Sequence, residues 1–152
     1  MKKTSTSNLK IIASNRKAHF NYFLSDFTEC GIVLLGTEIK SLRANNCSIN
    51  DAYVLVRNGE IEIVNMHINP YEHGNIFNHD PLRTRKLLLH KREINWFSNQ
   101  MKKGGYTIVP TRVYFRNGKA KVEIALAKGK KLYDKRETIK QRDLKREMGE
   151  SD

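Results

Sequence analysis

The sequence predicts a mainly β protein with short helices: an OB-like closed β-barrel of about six antiparallel strands, followed by a helix-capable C-terminal tail that is disordered when free. Three observations carry this. Short runs of β-branched and aromatic residues recur up to Ala127. Two pairs of these runs flank Asn-Gly, whose positive φ angles suit the type I′ turn of a tight hairpin. From Lys128 onward β-branched residues almost vanish and charge dominates. Closing the strands into a barrel removes exposed sheet edges, which favours a closed form for a small β domain.

The elements follow in order. Met1 to Asn8 is polar and reads as a flexible N-terminus. In His19 to Ser25 the residues Phe20, Tyr22 and Leu24 alternate onto one face, the pattern of a half-buried strand. Gly31 to Leu35 reads as a second strand, buried on both faces. Thr37 to Arg43 reads as a short helix capped by Thr37, with Ile39 and Leu42 on one side. Tyr53–Val56 and Ile61–Val64 flank Asn58-Gly59. Val113–Phe115 and Val122–Ile124 flank Asn117-Gly118. Between the hairpins, His90 stands as N-cap with Glu93 three residues later; Ile94, Phe97 and Met101 share a face, and Gly104-Gly105 ends the helix. Thr84 to Leu89 fits either a strand or the first turn of that helix. The domain plan is therefore a flexible stretch at 1–8, the barrel at 9–127 and a basic tail at 128–152.

A chain of 152 residues holds one domain plus an appendage, and a net charge of +12 implies a polyanionic partner, RNA or DNA ahead of a membrane surface. Cys30 and Cys47 form no CxxC pair, so neither a zinc ribbon nor a redox motif is indicated, and the composition suits the reducing cytosol. Met1-Lys2-Lys3 leads into polar residues rather than an apolar signal region, and runs such as Ile32 to Leu35 are too short to cross a bilayer. A cytoplasmic chain with no membrane partner is expected.

The acids Asp26, Glu29, Glu38, Asp51, Glu60 and Glu62 show no catalytic spacing, and no nucleophile elbow or phosphate-binding loop appears. No catalytic residue is assigned, and no enzyme is expected. His73 and His79 beside Asp80 match no zinc spacing, so no metal and no cofactor are expected; the segment from Asn69-Pro70 to Asp80-Pro81 reads as a surface loop. The basic clusters are more informative. Asn15-Arg16-Lys17, then Arg83, Arg85 and Lys86 with His90 behind them, then Lys128, Lys130 and Lys131 all sit at the ends of predicted barrel elements. There OB-type proteins gather nucleic acid, with Lys and Arg on phosphates and aromatics on bases. Tyr22, Phe23, Tyr71, Phe77 and Trp96 are candidate stackers, with core packing the default for most. The tail holds nine basic and six acidic residues and only a thin apolar stripe, Leu132, Ile139, Leu144 and Met148. That stripe is too small to offset an ordering cost of about 1–2 kcal/mol per residue, so the tail is expected to fold only against a polyanion.

Several stretches together resemble the small protein B (SmpB) family, the SsrA-binding proteins of bacterial trans-translation. They are Asn15-Arg16-Lys17-Ala18, Glu29-Cys30-Gly31-Ile32-Val33-Leu34, Gly36 to Arg43, Asp80 to His90, and Ala127 to Arg136 with its Gly-Lys-Lys and Asp-Lys-Arg elements. The resemblance implies an OB-like barrel that binds the tRNA-like domain of transfer-messenger RNA (tmRNA, or SsrA RNA). It implies delivery of alanyl-tmRNA to stalled ribosomes, with elongation factor Tu reached indirectly through that RNA. It also implies a tail that becomes helical in the mRNA channel beyond the decoding centre; a monomer is expected. The resemblance puts Asn15, Glu29, Leu88 and His90 in the tmRNA-binding surface, and the basic clusters add Arg16, Lys17, Arg83, Arg85 and Lys86 as expected contacts. The resemblance gives the ribosomal step to Gly129, Lys130, Lys131, Asp134, Lys135 and Arg136, and Lys128 and Tyr133 within the same tail stretch are expected to join them. Cys30 and Asn45 stand where family members more often carry Ala and Gly, and the tail finishes on the acidic Glu150-Ser151-Asp152. Glu29 is unusual on an RNA face: a carboxylate there either accepts from base or ribose donors or orients a neighbouring cation. The rival classes are an RNA-processing enzyme and a structural ribosomal protein.

Overall fold

Both Asn-Gly turns form as the sequence predicts. In a computed structural model, which describes residues 9–72 and 78–130, Asn58 and Gly59 have φ of 54° and 75°, and Asn117 and Gly118 of 52° and 78°. Positive values at both central residues define the type I′ turn. The described elements are β1 (Leu9–Ser14), α1 (Arg16–Asn21), β2 (Tyr22–Ile32), α2 (Gly36–Arg43), β3 (Cys47–Ser48), β4 (Tyr53–Arg57), β5 (Glu60–Val64), β6 (His67–Ile68), β7 (Arg85–Leu88), α3 (Lys91–Lys102), β8 (Tyr106–Arg116) and β9 (Lys119–Gly129).

Six of these strands close a ring in the order β8-β4-β5-β7-β2-β9, and β9 pairs back onto β8. All ring pairings are antiparallel. β1 adds to β8 outside the ring, and β3 and β6 pair separately. Alternation along each strand sends Cys30, Val54, Ile61, Ile63, Leu87, Val113, Val122 and Ile124 into the barrel. α3 plugs this core with Ile94 and Phe97, the face predicted for it. The mainly β, closed-barrel expectation therefore holds.

Four local readings change. Arg16–Asn21 is helical rather than part of a strand, because Asn15 caps it: its Oδ1 accepts from the Ala18 amide at 3.1 Å. The strands expected at 19–25 and 31–35 meet in one strand, β2, because Asp26, at φ 56°, makes a bulge where a turn would have divided them; β2 ends at Ile32, and Val33 and Leu35 are exposed rather than buried on both faces. α2 is not capped by Thr37. Glu38 accepts from the Leu35 amide at 2.7 Å, while the Thr37 hydroxyl is bonded to His79 Nδ1 at 2.8 Å. β1 was not anticipated. Thr84 to Leu89 resolves as strand, and Asn45 takes φ 61° after α2. β9 continues through Lys128 and Gly129. The readings for 1–8 and for the tail from Lys131 lie outside the described residues.

Candidate nucleic-acid interface

Outward-facing positions of β8, β9 and β2 build a polar ladder beside an apolar groove. Register places Tyr114 opposite Lys121 and Lys121 opposite Gly31, and in the next row Arg112 opposite Glu123 and Glu123 opposite Glu29. Glu29 Oε1 accepts from the Tyr114 hydroxyl at 2.6 Å and from Arg116 Nε at 2.7 Å. Arg112 pairs with Glu123 at 3.0 Å, and the guanidinium groups of Arg112 and Arg116 lie 5.2 and 5.5 Å from the centre of the Tyr114 ring. Burial pushes the Glu29 carboxyl upward. The hydrogen bonds from Tyr114 and Arg116 and the nearby positive charges outweigh it and hold the group below its usual value. Burial and the Glu29 bond push the Tyr114 hydroxyl up, so it remains a donor. Of the two roles open to Glu29, the geometry shows the second: it orients Arg116.

The groove, about 510 Å³, is lined by Gly31, Val33, Ile39, Leu88 and Phe115, with Arg43, Lys119 and Lys121 among the polar residues around it. Val33 is 45% and Leu88 51% exposed. Gly31 pairs directly with Leu88, and a Cβ at Gly31 would meet Leu88 Cβ at 3.2 Å. The missing side chain is therefore what lets Leu88 lie over β2. Arg43, Lys119 and Lys121 line the groove, and the ladder beside it adds Arg112 and Arg116, each paired with a carboxylate, Glu123 and Glu29. An apolar floor for a base or ribose beside cations for phosphates is the chemistry of RNA binding. Composition had no means of finding Tyr114, Arg116, Lys119 and Lys121. The signal was their shared outward parity across the Asn117-Gly118 hairpin.

The other sequence-predicted residues fall elsewhere. Asn15 is 2% exposed; its Nδ2 donates to Pro110 O at 2.9 Å and Ile49 O at 3.2 Å, so its side chain is committed inside the fold. Arg16 and Lys17 are exposed on α1, with Lys17 3.4 Å from Asp51. Arg85 is fully buried and offers no surface to an RNA. Its Nε donates to Glu38 Oε2 at 2.5 Å and its Nη1 to Met66 O at 2.6 Å. Arg83 grips the same carboxylate, Nη2 to Oε1 at 2.7 Å. Burial raises the Glu38 carboxyl, but Arg83, the Leu35 amide and Arg85 together hold it below its usual value. This trio ties α2 to β7. Lys86 pairs with Glu60 at 2.8 Å on the outer face, and exposed His90 begins α3, its amide bonded to Glu93 Oε1 at 3.3 Å.

Of the aromatic candidates, Tyr22 packs partly buried near Ala18, Lys40 lies over the Tyr71 ring, and Trp96 stands edge-on to Phe97. Phe23 carries Lys130 at 5.1 Å. His79 is buried and bonded to Thr37 and Ile68 O, and no group of three or more potential metal ligands occurs among the described residues. Phe77, His73, Lys131, Tyr133, Asp134, Lys135 and Arg136 lie outside the described residues.

A family model for the SmpB protein matches residues 12–151. The chain belongs to the SmpB family. An SsrA-binding protein of Acetivibrio thermocellus is 57% identical over 139 residues, covering 91% of this chain and 90% of that protein. One of Geobacillus kaustophilus is 55% identical, with the same two coverages of 91% and 90%. Among solved structures, a chain described under "tmRNA-SmpB: a journey to the center of the bacterial ribosome" is 42% identical. It superposes with a TM-score of 0.66 over 78% of this chain and 84% of that one. The SmpB barrel expected from the motifs is thus the fold observed, with its ladder of Glu29, Tyr114 and Arg116 on the outer face.

Proposed function

We propose that this SmpB-family chain is the RNA-binding adaptor of trans-translation, not an enzyme. It binds the tRNA-like domain of tmRNA on the β2–β9–β8 face and brings alanyl-tmRNA to stalled ribosomes. The observation that carries the reading is the exposed Gly31–Val33–Leu88 floor bordered by Arg43, Lys119 and Lys121, with Arg116 held by Glu29 on the neighbouring ladder. Leu88 and Val33 take a base or ribose face, and the cations take phosphates. Glu29 acts on the RNA through Arg116, which it holds in one orientation. Arg16, Lys17, Lys86 and His90 add cations and donors at the periphery.

The tail carries the second half of the task. Lys128, Gly129 and Lys130 lead to Lys131, Tyr133, Asp134, Lys135 and Arg136, which work in the mRNA channel beyond the decoding centre. The protein acts as a monomer in the cytoplasm and meets elongation factor Tu through the alanylated RNA. No helix among the described residues is long and apolar enough to cross a membrane.

The identity of the RNA that copurifies with the full chain at moderate salt tests this reading. A single tRNA-like RNA, enriched on stalled ribosomes together with the protein, is the expected outcome. Recovery of bulk ribosomal RNA at constant one-to-one occupancy would instead make the chain a structural ribosomal protein.

A further inference from the structure

The chain leaves the barrel at a corner that grips it. Lys130, the residue after β9, donates its amide to Asn21 O at 2.9 Å; its Nζ lies 3.5 Å from His19 O and 5.1 Å from the centre of the Phe23 ring. All three contacts come from the junction of α1 and β2. α1 is itself pinned to the same strands: Ala18 is buried against Val109 of β8 and Ala127 of β9, with Tyr22 and Leu24 packed at the edge. Two anchors hold the helix start. The Asn15 amide donates to Thr111 O at 2.9 Å, at the bulge where β8 shifts register, and the Asn15 side chain spans Ala18 N, Pro110 O and Ile49 O. A six-residue helix has little stability of its own, so its place depends on these anchors.

We propose that the α1–β2 corner is a seat that fixes the direction in which the tail leaves the barrel, and that Asn15 serves this seat as a positioning residue rather than as an RNA contact. The inference rests on the reading that the tail works on the ribosome. A tail searching for a channel gains effective concentration there when its root points the right way. A root swinging freely about Gly129 loses that gain. Phe23 is half exposed although it lies beside two partly buried apolar residues, Tyr22 and Leu24. Its function in the seat is to offer a ring face to the Lys130 ammonium. The corner thus belongs to the ribosomal step, whereas the groove beside Glu29 belongs to RNA capture.

The test uses the full chain with four changes. Phe23→Leu keeps the apolar bulk and removes the ring face; Phe23→Tyr keeps both. Asn15→Ala releases the helix start, and truncation after Lys130 removes the tail. Each is assayed for affinity toward tRNA-like-domain RNA, for peptide tagging on stalled ribosomes, and for hydrogen exchange at the Lys130 amide. Phe23→Leu is expected to lower tagging about two- to fivefold, the scale of one exposed cation–π contact, with RNA affinity unchanged. Phe23→Tyr is expected to match the parent chain. Asn15→Ala is expected to lower tagging further and expose the Lys130 amide while Val122 and Ile124 stay protected. The seat is overturned if Phe23→Leu tags as well as the parent, or if the Phe23 or Asn15 variant loses RNA affinity in proportion to tagging. If truncation leaves tagging intact, the ribosomal role of the tail falls, and the seat with it; if truncation abolishes tagging while Phe23→Leu does nothing, the seat alone is wrong.

Discussion

The Tyr114 hydroxyl donates to Glu29 Oε1 at 2.6 Å, joining two strands that do not pair, with β9 between them. The same oxygen accepts from Arg116. One carboxylate thus orders a phenol and a guanidinium on a face where cations outnumber carboxylates. On the proposed RNA face, this acid is explained by what it holds.

Glu29→Ala removes the acceptor from both groups. The Tyr114 hydroxyl is left without that bond, at about 1–2 kcal/mol of stability, and Arg116 loses its fixed direction. The affinity for tRNA-like-domain RNA is expected to fall about tenfold by titration, while Glu29→Gln, which keeps one oxygen acceptor, falls less. Unchanged affinity in Glu29→Ala would remove Arg116 from the binding account.

Leu88 sits half exposed on the groove floor, so Leu88→Ala is expected to change stability by no more than about 0.5 kcal/mol. The lost contact with RNA is worth about 1 kcal/mol, roughly fivefold in affinity. Gly31→Ala is expected to act in the same direction by another route, since its new Cβ displaces Leu88. Urea melts alongside binding isotherms separate the two effects.

Lys119 and Lys121 border the groove as cations. If each neutralises a phosphate, each replacement by Ala lowers the slope of log affinity against log salt by about 0.7–0.9. Binding measured across a salt series reads this directly; a slope that does not change would place the phosphates elsewhere.

Glu38 is wholly buried between Arg83 and Arg85. Glu38→Gln leaves a buried guanidinium without its counter-charge, and unfolding stability is expected to drop by about 3 kcal/mol or more. Because the folded carboxyl sits below its ordinary value of 4.5, its contribution is fully present above that pH and is lost as the pH falls through the lower folded value. Urea midpoints measured from neutral pH down into acid are expected to decline steeply for the parent chain and less for Glu38→Gln.

Much of the barrel could be read in advance because turn chemistry is local. Asn58-Gly59 and Asn117-Gly118 dictate positive φ whatever surrounds them, and Ile94 and Phe97 declare a helical face. The misread segments depend on distant partners. Asn15 looked like part of a basic cluster, but its amide is spent on Pro110 and Ile49, residues 95 and 34 positions away. Arg85 looked like Arg83 and Lys86 until strand parity turned it inward onto Glu38. Arg116, beside the Asn117-Gly118 turn, carried no sequence signal, because its value lies in reaching Glu29 across β9. Charge counts point to a polyanionic partner; parity and register show which cations share the β2–β9–β8 face.

The central claim is that RNA capture and ribosomal action occupy separate places on the chain. It is tested most directly by equilibrium binding of tRNA-like-domain RNA to two proteins side by side: the chain truncated after Lys130, and the full chain carrying Lys119→Ala and Lys121→Ala. The truncated chain is expected to bind as the parent does, and the double variant to bind at least about tenfold more weakly at moderate salt. Loss of binding in the truncated chain, or parental binding in the double variant, would contradict the account.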